Sequence, residues 1–282
     1  MKPGHDPIEI ALKEDIGEGD VTSAFFVPET VRVSARVVSR EKAIIAGTET
    51  AAEVFRRVDP ATQVEIIRGD GVEVGPNESV LEVRGFARSI LQAERVALNF
   101  LQHLCGVATL TRQFVDAAAN DQVKILDTRK TTPGLRELEK KAVLAGGGTN
   151  HRFGLDDMVL VKDNHLLCQT DFVRFGEAVR QLRAERPDLR IEVEAEDLRQ
   201  VRAILKVANV DLILLDNMRP AQLREAVAIG KPQNVKFEAS GGVTLKNVRI
   251  IAATGVDFIS IGALTHSVKA IDLSLEVANV GA

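Results

Sequence analysis

The sequence predicts an α/β protein in which a small N-terminal domain precedes an incomplete α/β barrel. Two observations indicate this fold class. Short β-rich segments separated by turn residues fill residues 31–85, and from about Val123 a short apolar strand followed by an amphipathic helix recurs along the chain. Continuous apolar strands that alternate with helices are typical of a parallel sheet covered by helices.

Six strand and helix units follow Val123. The predicted strands are KILD (124–127), MVLVK (158–162), IEVE (191–194), LILLD (212–216), KFEA (236–239) and FISI (258–261), and the predicted helices are LRELEKKAVLA, DFVRFGEAVRQLRAE, DLRQVRAILK, PAQLREAVAI and LKNVRIIAAT. No glycine-rich dinucleotide turn follows any strand, which favours a closed or nearly closed barrel over a doubly wound sheet. Six units are fewer than the eight of a complete barrel, so we expect an incomplete one.

The N-terminal region predicts a mostly antiparallel sheet followed by one long helix. Its strands are VRVSARVVS, AIIAG, QVEII and SVLEVRG, and the helix runs from about Ala87 to Asn120. The apolar stripe of the helix comprises Leu91, Leu98, Leu101, Leu104 and Val107. Gly106 marks either a break or a close contact in it. The tail AIDLSLEV alternates apolar and polar residues and fits an edge strand or a helix that returns to the first domain.

These patterns predict two domains. We expect residues 1–110 and 268–282 to form the N-terminal domain and residues 111–267 to form the catalytic barrel.

The composition argues against several classes of protein. With 36 Lys and Arg against 40 Asp and Glu the net charge is −4, and no basic run suited to neutralising nucleic-acid phosphates is present. The only aromatic residues are 11 Phe, and none is interleaved with basic residues as base stacking requires. Cys105 and Cys168 lie outside any metal-binding spacing, so we expect inert core thiols in a reducing compartment. No segment reads as a membrane span or a secretory leader, which predicts a cytoplasmic protein without a membrane partner.

Basic residues are concentrated between Asp127 and His165, at or near predicted strand ends. The candidates are Arg129, Lys130, His151, Arg152 and Lys162. Barrels of this kind carry their active sites at the carboxyl ends of the strands. Cations that converge there require an anion, and Arg suits a planar carboxylate because it can donate two parallel hydrogen bonds. The segment therefore predicts a small ligand with more than one carboxylate.

Other charged residues of the same segment have helical spacing. Arg136, Glu137, Lys140 and Lys141 alternate in sign along a predicted helix, which predicts an exposed helix surface. His103 and His266 lie in apolar stretches and are interpreted as structural histidines.

The late strands end in glycines that could bind a phosphate. Ser240, Gly241 and Gly242 follow the fifth predicted strand, and Gly262 follows the sixth. Backbone N–H groups at such turns bind phosphates in many barrels, although a tight turn without a ligand is the alternative.

Two carboxylates end neighbouring strands. Glu194 and Asp216 could hold Mg2+ or sugar hydroxyls, or stabilise a developing positive charge. Glu194 could instead pair with Arg199 or Arg202 on the next helix. Glu192 and Glu196 compete with Glu194 for the same role because side chains alternate along a strand. A cationic half and a carboxylate and phosphate half on one face predict an enzyme that joins a polyanionic acid to a sugar phosphate.

Ordered motifs along nearly the whole chain carry a family resemblance. They are ALKEDIGEGDVTS, ERVALNFLQHLCGVATLT, LDTRKTTPGLRELEKKAVLAGGGTNHRFGLDDMVLVKDNH, IEVEAEDL, LILLDNM, FEASGGVTLKNV and GVDFISIGALTHSVKAIDLSLEV. Together they resemble the quinolinate phosphoribosyltransferase family of type II phosphoribosyltransferases. The resemblance implies an N-terminal α/β sandwich, a seven-stranded incomplete TIM-like barrel and a homodimer whose active sites are completed by the neighbouring subunit. It also implies a glycosyltransferase of NAD biosynthesis that uses Mg2+ and transfers phosphoribosyl from phosphoribosyl pyrophosphate to quinolinate, with loss of CO2.

The resemblance also implies a role for each site residue. Arg129, His151, Arg152 and Lys162 would bind the two carboxylates of quinolinate, with Arg95 reaching in from the partner subunit. Lys130 would lie near the pyrophosphate and, with Lys162, assist its departure. Glu194 and Asp216 would act in catalysis by holding the ribose hydroxyls and Mg2+, and Ser240, Gly241, Gly242 and Gly262 would bind the 5-phosphate. From the residues alone, Arg95 reads as the polar face of the long helix.

One departure from the family pattern and two rival functions remain open. KVANVDLILLDN differs from the family by one residue in length, which affects the assignment of Glu194 rather than that of Asp216. A related phosphoribosyltransferase could act on another pyridine acid, but three cations with His151 suit two carboxylates. A noncatalytic barrel that binds phosphorylated metabolites would need neither Glu194 nor Asp216 at strand ends.

Overall fold

The computed structural model describes residues 6–162, 165, 172–233 and 235–278. Internal contacts divide the chain into two units. The first comprises Met1–Arg112, Thr131–Gly147 and Ala263–Ala282, and the second comprises Gln113–Lys130 and Gly148–Gly262. This division differs from the sequence expectation at Thr131–Gly147, because Leu135 and Leu138 pack against the apolar core of the first unit. The domain boundaries that we expect from the sequence remain a prediction.

The predicted strands and helices occur in the predicted order. In chain order they are α1 (Pro7–Ile16), α2 (Val21–Phe26), β1 (Arg32–Ser39), β2 (Ala43–Ile44), α3 (Thr48–Val58), β3 (Gln63–Ile66), β4 (Glu73–Val74), β5 (Ser79–Phe86), α4 (Ala87–Ala118), β6 (Lys124–Leu126), α5 (Arg136–Ala145), β7 (Val159–Val161), α6 (Phe172–Glu185), β8 (Ile191–Ala195), α7 (Leu198–Ile204), β9 (Leu212–Asp216), α8 (Pro220–Gly230), β10 (Lys236–Ser240), α9 (Val248–Ala252), β11 (Phe258–Ser260), α10 (Ala263–His266) and β12 (Leu273–Ala278). A 3-10 turn, Lys231–Gln233, follows α8. The structure adds α1, α2, α3, β4 and α10, which the sequence patterns did not predict.

The first unit contains an antiparallel sheet with the strand order β12-β1-β5-β3 and a two-stranded β2-β4 sheet. The C-terminal segment is therefore an edge strand of this sheet, one of the two expected forms. Phe55, Leu81, Ile90 and Leu101 are almost completely buried in its core, between the sheet and the helices. This confirms the predicted antiparallel sheet of the N-terminal region.

The long helix α4 is continuous through Gly106. A Cβ at Gly106 would overlap the carbonyl oxygen of Lys269 and lie 2.6 Å from Val268 Cγ1, so the glycine marks a close contact rather than a break. Four of the five predicted stripe residues are buried, but the expectation is wrong for Leu91, which is 37% exposed. The 3.6-residue helical period rotates Leu91 away from the buried face that includes Leu101.

The expected surface of α5 is wrong at one residue. Lys141 is exposed and pairs with Glu137 at 2.9 Å, one helical turn before it. Lys140, however, is buried on the same face as Val143. Helical residues three apart share a face, so Lys140 lies on the side that packs inward.

Two of the predicted inert or structural side chains behave as expected. His103 Nε2 lies 2.7 Å from Oε1 of the buried Glu139, as a satisfied structural histidine would. Cys105 is buried and burial raises the pKa of its thiol to about 12. His266 differs from the expectation because it is exposed and contacts Ser267 Oγ at 2.6 Å. Cys168 lies outside the described residues.

The second unit contains the predicted parallel sheet. Within the described residues it has six strands in the order β6-β11-β10-β9-β8-β7, each within one residue of its predicted bounds. A single parallel bridge from Leu126 to Thr149 extends the sheet beyond β6. The seventh strand implied by the resemblance is reduced to this one bridge in the part of the chain that the structure describes.

Side-chain alternation separates the two faces of the parallel sheet. Val193, Ile213 and Ile259 are completely buried on one face. Glu194, Asp216, Glu238, Ser240 and other polar residues take the alternate positions on the opposite face. The strand registers therefore place the polar residues together.

Two aspartates anchor the beginnings of these strands. Asp211 Oδ2 accepts hydrogen bonds from the backbone N–H of Ile191 and from Arg183. Asp257 accepts from the backbone N–H of Phe237 and from Lys236. These bonds tie β8 and β10 to the segments before their neighbours and so stabilise the register at the site. Over the described residues, no helix is both long enough and apolar enough to cross a membrane.

Candidate active site

A cavity of about 230 Å³, here called the strand-end cavity, lies at the carboxyl ends of the parallel strands. It is lined by Thr128, Arg129, Lys130, His151, Arg152, Leu160, Lys162, Glu194, Leu214, Asp216, Glu238, Ser240 and Ser260. Eight of these are residues that the sequence predicted for the site. Cations from the early strands and carboxylates from the late strands therefore share one cavity.

The remaining predicted residues are not among those that line the cavity. Gly241 and Gly242 directly follow Ser240 with φ angles of 88° and 61°, and both are exposed. Gly262 follows β11 and is half-buried. Arg95 belongs to the first unit, where it is exposed on α4.

Arg152 and Arg129 form the cationic wall with Lys130, which is exposed beside them. Arg152 is half-buried and donates from Nη1 to the carbonyl of Met158 at 3.2 Å. Burial, followed by the neighbouring charge of Arg129, lowers the pKa of Arg152. Two guanidinium groups with like charge in one wall are suited to binding an anion.

The loop after Arg152 is held by one carboxylate. Asp157 accepts hydrogen bonds from the backbone N–H groups of Phe153, at 2.6 Å, and Gly154, at 3.2 Å. These bonds contribute to a lowered pKa of Asp157, which burial by itself would raise. The loop therefore has a defined conformation next to the cationic wall.

His151 lies deep in the cavity between two buried carboxylates. Its Nε2 is 3.1 Å from Glu192 Oε2 and 3.4 Å from Glu238 Oε2. Its backbone N–H donates to Oδ1 of the buried Asp127 at 2.8 Å, and its Nδ1 accepts from the backbone N–H of Arg152 at 2.7 Å. Both ring nitrogens therefore contact protein groups.

The charges around His151 favour an additional proton in this cluster. Burial alone would lower the pKa of His151, but Glu192 and Glu238 outweigh it and raise this pKa to about 9. Burial raises the pKa of Glu192 to about 7, with Glu238 adding to the increase and His151 opposing it. Because Nδ1 accepts a backbone hydrogen bond, the additional proton lies between Nε2 and the carboxylates, and it belongs to the cluster rather than to one residue.

Lys162 and Glu194 contact each other across the cavity. Lys162 Nζ lies 3.4 Å from Glu194 Oε2. The alternative partners are engaged elsewhere, since Arg199 pairs with Asp197 at 2.7 Å and Arg202 pairs with Glu225 at 3.0 Å. Glu194, rather than Glu192 or Glu196, therefore lies at the level of the cavity beside Lys162.

Asp216, at the end of β9, is held by its chain neighbour. Asn217 Nδ2 donates to Asp216 Oδ2 at 2.8 Å, and the backbone N–H of Asn217 donates to the Ser240 carbonyl at 2.8 Å. Asn217 has a φ of 53°, a left-handed conformation that Asn tolerates better than most residues. This conformation turns the chain sharply at the strand end and places the amide beside the carboxylate.

Sequence reasoning missed the roles of four residues that organise the site, although it considered Glu192 as an alternative to Glu194. Glu192 and Glu238 contact His151, Asp127 anchors the His151 backbone, and Asn217 orients Asp216. A signal for the two glutamates was present, because each is an acidic residue with an apolar residue on either side within a predicted strand. Asp127 directly precedes the basic cluster in the sequence, but nothing local predicts its contact with residue 151.

Family models match almost the whole chain. The model for the quinolinate phosphoribosyl transferase C-terminal domain matches residues 107–276, and the N-terminal domain model of the same family matches residues 20–105. The chain belongs to this family. The match confirms the resemblance drawn from the sequence motifs.

Individual members of the quinolinate phosphoribosyl transferase family are similar over nearly their full length. The nicotinate-nucleotide pyrophosphorylase [carboxylating] of Mycobacterium leprae is 42% identical, with 96% of both chains covered. The probable enzyme of the same name from Bacillus subtilis is 42% identical, covering 94% of this chain and 90% of the relative. The solved structure of the nicotinate-nucleotide pyrophosphorylase from Francisella tularensis has a TM-score of 0.88 at 38% identity, covering 96% of this chain and 94% of the other.

Proposed function

We propose that this protein is a nicotinate-nucleotide pyrophosphorylase (carboxylating), which converts quinolinate and phosphoribosyl pyrophosphate to nicotinate mononucleotide, pyrophosphate and CO2 in NAD biosynthesis. The observation that carries the proposal is that Arg152, Lys162, Glu194 and Asp216 all line one cavity at the strand ends. A dicarboxylate needs the cations, and an activated ribose needs the carboxylates. Family membership supports the same pair of substrates.

In this proposal the cationic half of the cavity binds quinolinate. Arg129, Arg152 and Lys162 contact its two carboxylates, and His151 lies below them with its ring nitrogens directed at protein groups. Lys130, exposed at the edge of the cavity, contacts the pyrophosphate. The net positive wall also orients the pyridine ring, so that its nitrogen faces the ribose.

The other half of the cavity binds the sugar phosphate. Glu194 and Asp216 accept hydrogen bonds from the ribose hydroxyls, while Ser240, Gly241, Gly242 and Gly262 surround the 5-phosphate. The left-handed turn at Gly241 and Gly242 supports this role, because successive N–H groups in such turns can point at one anion. A Cβ at Gly242 would meet no atom of the described residues within 4 Å, which supports close approach of a ligand to the backbone there.

The proposed reaction requires no covalent enzyme intermediate. The bond from ribose carbon 1 to pyrophosphate breaks as the quinolinate nitrogen attacks that carbon. The positive charge that develops on the ribose lies near Glu194 and Asp216, which stabilise it. Lys130 and Lys162 assist the departure of the negatively charged pyrophosphate.

Decarboxylation follows from the charge on the ring. Once its nitrogen is alkylated, the pyridinium ring accepts the electron pair of the bond to the 2-carboxylate, and CO2 leaves. A proton from solvent then replaces the carboxylate on that carbon. The ring itself acts as the electron sink, so the proposal requires no organic cofactor.

Glu194 and Asp216 also fit Mg2+. This ion prefers oxygen ligands and is commonly held by one or two carboxylates together with substrate phosphates. The two carboxylates line the same cavity from adjacent strands, which suits that donor set. Bound there, Mg2+ would neutralise charge on the pyrophosphate, and Glu194 and Asp216 would hold it.

We further propose a homodimer in which Arg95 of each subunit completes the site of the other. Arg95 is exposed on α4, and Leu91, one turn before it, is 37% exposed. Phe25 and Phe26 on α2 are 82% and 83% exposed, which is unusual for large apolar side chains. A subunit interface would bury such groups.

The activity is tested by measuring pyrophosphate release from phosphoribosyl pyrophosphate with Mg2+. We expect release with quinolinate and not with nicotinate. Release with nicotinate but not with quinolinate would instead indicate a related transferase for another pyridine acid. No release with either acid would indicate a noncatalytic binding protein. Arg152→Ala and Lys162→Ala should abolish turnover or quinolinate binding while the fold persists. Arg199→Ala is the matched control, because Arg199 is exposed, pairs with Asp197 and is not among the residues that line the cavity.

Co-expression of Arg95→Ala and Lys162→Ala subunits tests the shared site. Random pairing should make about half of the dimers hybrids, and each hybrid would contain one intact site and one doubly altered site. About one quarter of wild-type activity should therefore return. Each variant by itself should be nearly inactive. No recovery in hybrids whose formation is verified by differential tags would remove Arg95 from the partner's site.

A further inference from the structure

His151, Glu192 and Glu238 form a cluster beneath the cationic wall, and no step of the proposed reaction uses their side chains. The exposed fraction of the side chain is 8% for His151, 0% for Glu192 and 1% for Glu238. Their ligand atoms all lie within 4.8 Å of one another. The three side chains therefore form one compact group inside the barrel.

The two glutamates are placed there by strand register. Glu238 on β10 is level with Leu214 on β9, and Leu214 is level with Glu194 on β8, so Glu238 and Glu194 are at one height. Glu192 lies two residues earlier on β8, one layer deeper on the same face. Glu238 is therefore level with Glu194 while Glu192 lies one layer deeper, and both glutamates contact the His151 ring.

Buried carboxylates are costly unless a partner compensates their charge. None of the four carboxylate oxygens of Glu192 and Glu238 accepts a hydrogen bond of regular geometry from a described residue. Their close contacts are with the His151 ring, and the charge of Arg152 also acts on Glu192. Two carboxylates that are buried at such a cost beside an anion site indicate a role connected with that site.

Contacts at both ring nitrogens and at the backbone N–H hold His151 in place. Glu192 and Glu238 contact Nε2, the backbone N–H of Arg152 donates to Nδ1, and Asp127 accepts from the His151 backbone. Through the Nδ1 contact, the orientation of the ring is coupled to the backbone of Arg152. Arg152 supplies the guanidinium of the cationic wall, so a shift of the ring changes the position of that guanidinium.

We propose that Glu192 and Glu238 are positioning residues for quinolinate binding, which act by holding the His151 ring and thereby the Arg152 guanidinium at the wall of the cavity. The inference rests on the proposed function. A direct contact of either glutamate with a dicarboxylate would be repulsive, so their effect must pass through His151 and Arg152. They also balance the like charges of Arg129 and Arg152 before the substrate arrives.

A second cavity beside the His151 ring indicates that the ring depends on its contacts with Glu192 and Glu238 for its orientation. This cavity, of about 150 Å³, lies near the amino ends of the same strands, and His151, Arg152 and Glu238 line both cavities. The ring thus has open space below as well as above it. Without the two carboxylates, the structure offers room for the ring to turn away from the wall.

The test uses Glu192→Gln and Glu238→Gln, which keep shape and remove charge, in the full-length protein. We expect the KM for quinolinate and its calorimetric Kd to rise about tenfold or more, since truncating a contact to a charged group costs about 1.5–3 kcal/mol. The KM for phosphoribosyl pyrophosphate should change by less than about twofold, because the close contacts of both glutamates are with His151 beside the cationic wall. Glu196→Gln is the matched control, because Glu196 follows β8 and is exposed. If a Gln variant fails to fold, the charge-conserving Glu192→Asp should restore most quinolinate affinity.

A spectroscopic readout separates this inference from the proposed function. In protein with 15N-labelled histidine, the ring signals of His151, assigned with His151→Gln, should move in both Gln variants and not in Glu196→Gln. Unchanged His151 signals, or equal losses of affinity for both substrates, would overturn the inference while wild-type pyrophosphate release still supports the function. A divalent metal that copurifies at one per chain and is lost in Glu238→Gln would also overturn it, since the cluster would then be a metal site. A wild type that binds quinolinate and shows responsive His151 signals but releases no pyrophosphate would overturn the function alone.

Discussion

Asn217 and Gly241 form a complementary pair behind Asp216. Asn217 donates from its side-chain amide to the Asp216 carboxylate, and the Asn217 amide occupies the space in which a side chain at Gly241 would lie. A Cβ at Gly241 would overlap Asn217 Oδ1 and lie 2.5 Å from Asn217 Cγ. The absence of a side chain at residue 241 thus determines the orientation of a carboxylate on the neighbouring strand.

Gly241→Ala should reduce kcat/KM by about 10- to 100-fold, because small displacements of positioned groups are costly in catalysis. The substitution adds an atom where Asn217 lies and also strains a backbone with a φ of 88°. Gly255→Ala is the control, since its φ is 94° and its Cβ would meet Val227 Cγ1 at 3.4 Å, away from the cavity. Thermal melting should show some loss of stability in both variants, and steady-state kinetics should show loss of activity only in the first. Equal activities would mean that Asn217 does not orient Asp216.

Asn217→Asp should lower turnover by about 10- to 100-fold, the kinetic equivalent of losing a hydrogen bond to a charged group. The change replaces the donor with a second carboxylate next to Asp216, and like charges repel. Asn209→Asp is the control for backbone strain. Asn209 also has a left-handed conformation, with a φ of 70°, but it is not among the residues that line the cavity. The measurement is initial rate against phosphoribosyl pyrophosphate concentration. A normal rate in Asn217→Asp would contradict the assigned hydrogen bond.

The stabilising contribution of His151 should depend on pH. Its folded-state pKa is raised from 6.5 to about 9 by Glu192 and Glu238, against the opposing effect of burial. A group with a raised folded-state pKa stabilises fully below its unfolded pKa, and that contribution is lost as the pH rises through the folded value. His151→Gln should therefore destabilise more at pH 6 than at pH 9.5, by up to about 3 kcal/mol, since Glu192 and Glu238 share the additional proton. Denaturant unfolding of both proteins at the two pH values checks this, and a pH-independent difference would contradict the raised pKa.

Two glycines inside helices should respond oppositely to alanine. Gly176→Ala should raise the free energy of unfolding by up to about 1 kcal/mol, because Ala favours helix and, among the described residues, its Cβ would approach Arg180 and Val207 at 3.9 and 4.0 Å. Gly106→Ala should lower it by about 1–3 kcal/mol, since the new methyl group would overlap Lys269 and crowd Val268. Calorimetric melting of both variants distinguishes the effects. Stabilisation by Gly106→Ala would mean that the C-terminal segment can move away from α4 without cost.

The identity of most elements and of the cationic and acidic halves could be predicted from the chain alone. Period-two and period-3.6 apolar patterns are local, so β8, β9 and β10 were located to within a residue. The polar residues at their ends were predictable for the same reason, because parallel strands bring their carboxyl ends to one edge. Leu91 and Lys140 were misplaced because their burial depends on which side of a helix meets the core, and neighbours in sequence do not decide that.

By itself, the sequence determined the order of strands and helices, the family and the residue types of the active site, since these depend on local patterns and motifs. Only the tertiary structure decided which carboxylate faces which cation. Glu194 contacts Lys162, Glu192 and Glu238 contact His151, and Asn217 meets Gly241, across separations in sequence that no local pattern spans. The physical reason is that these contacts depend on strand register and side-chain alternation across neighbouring strands, and both are set when the whole sheet assembles.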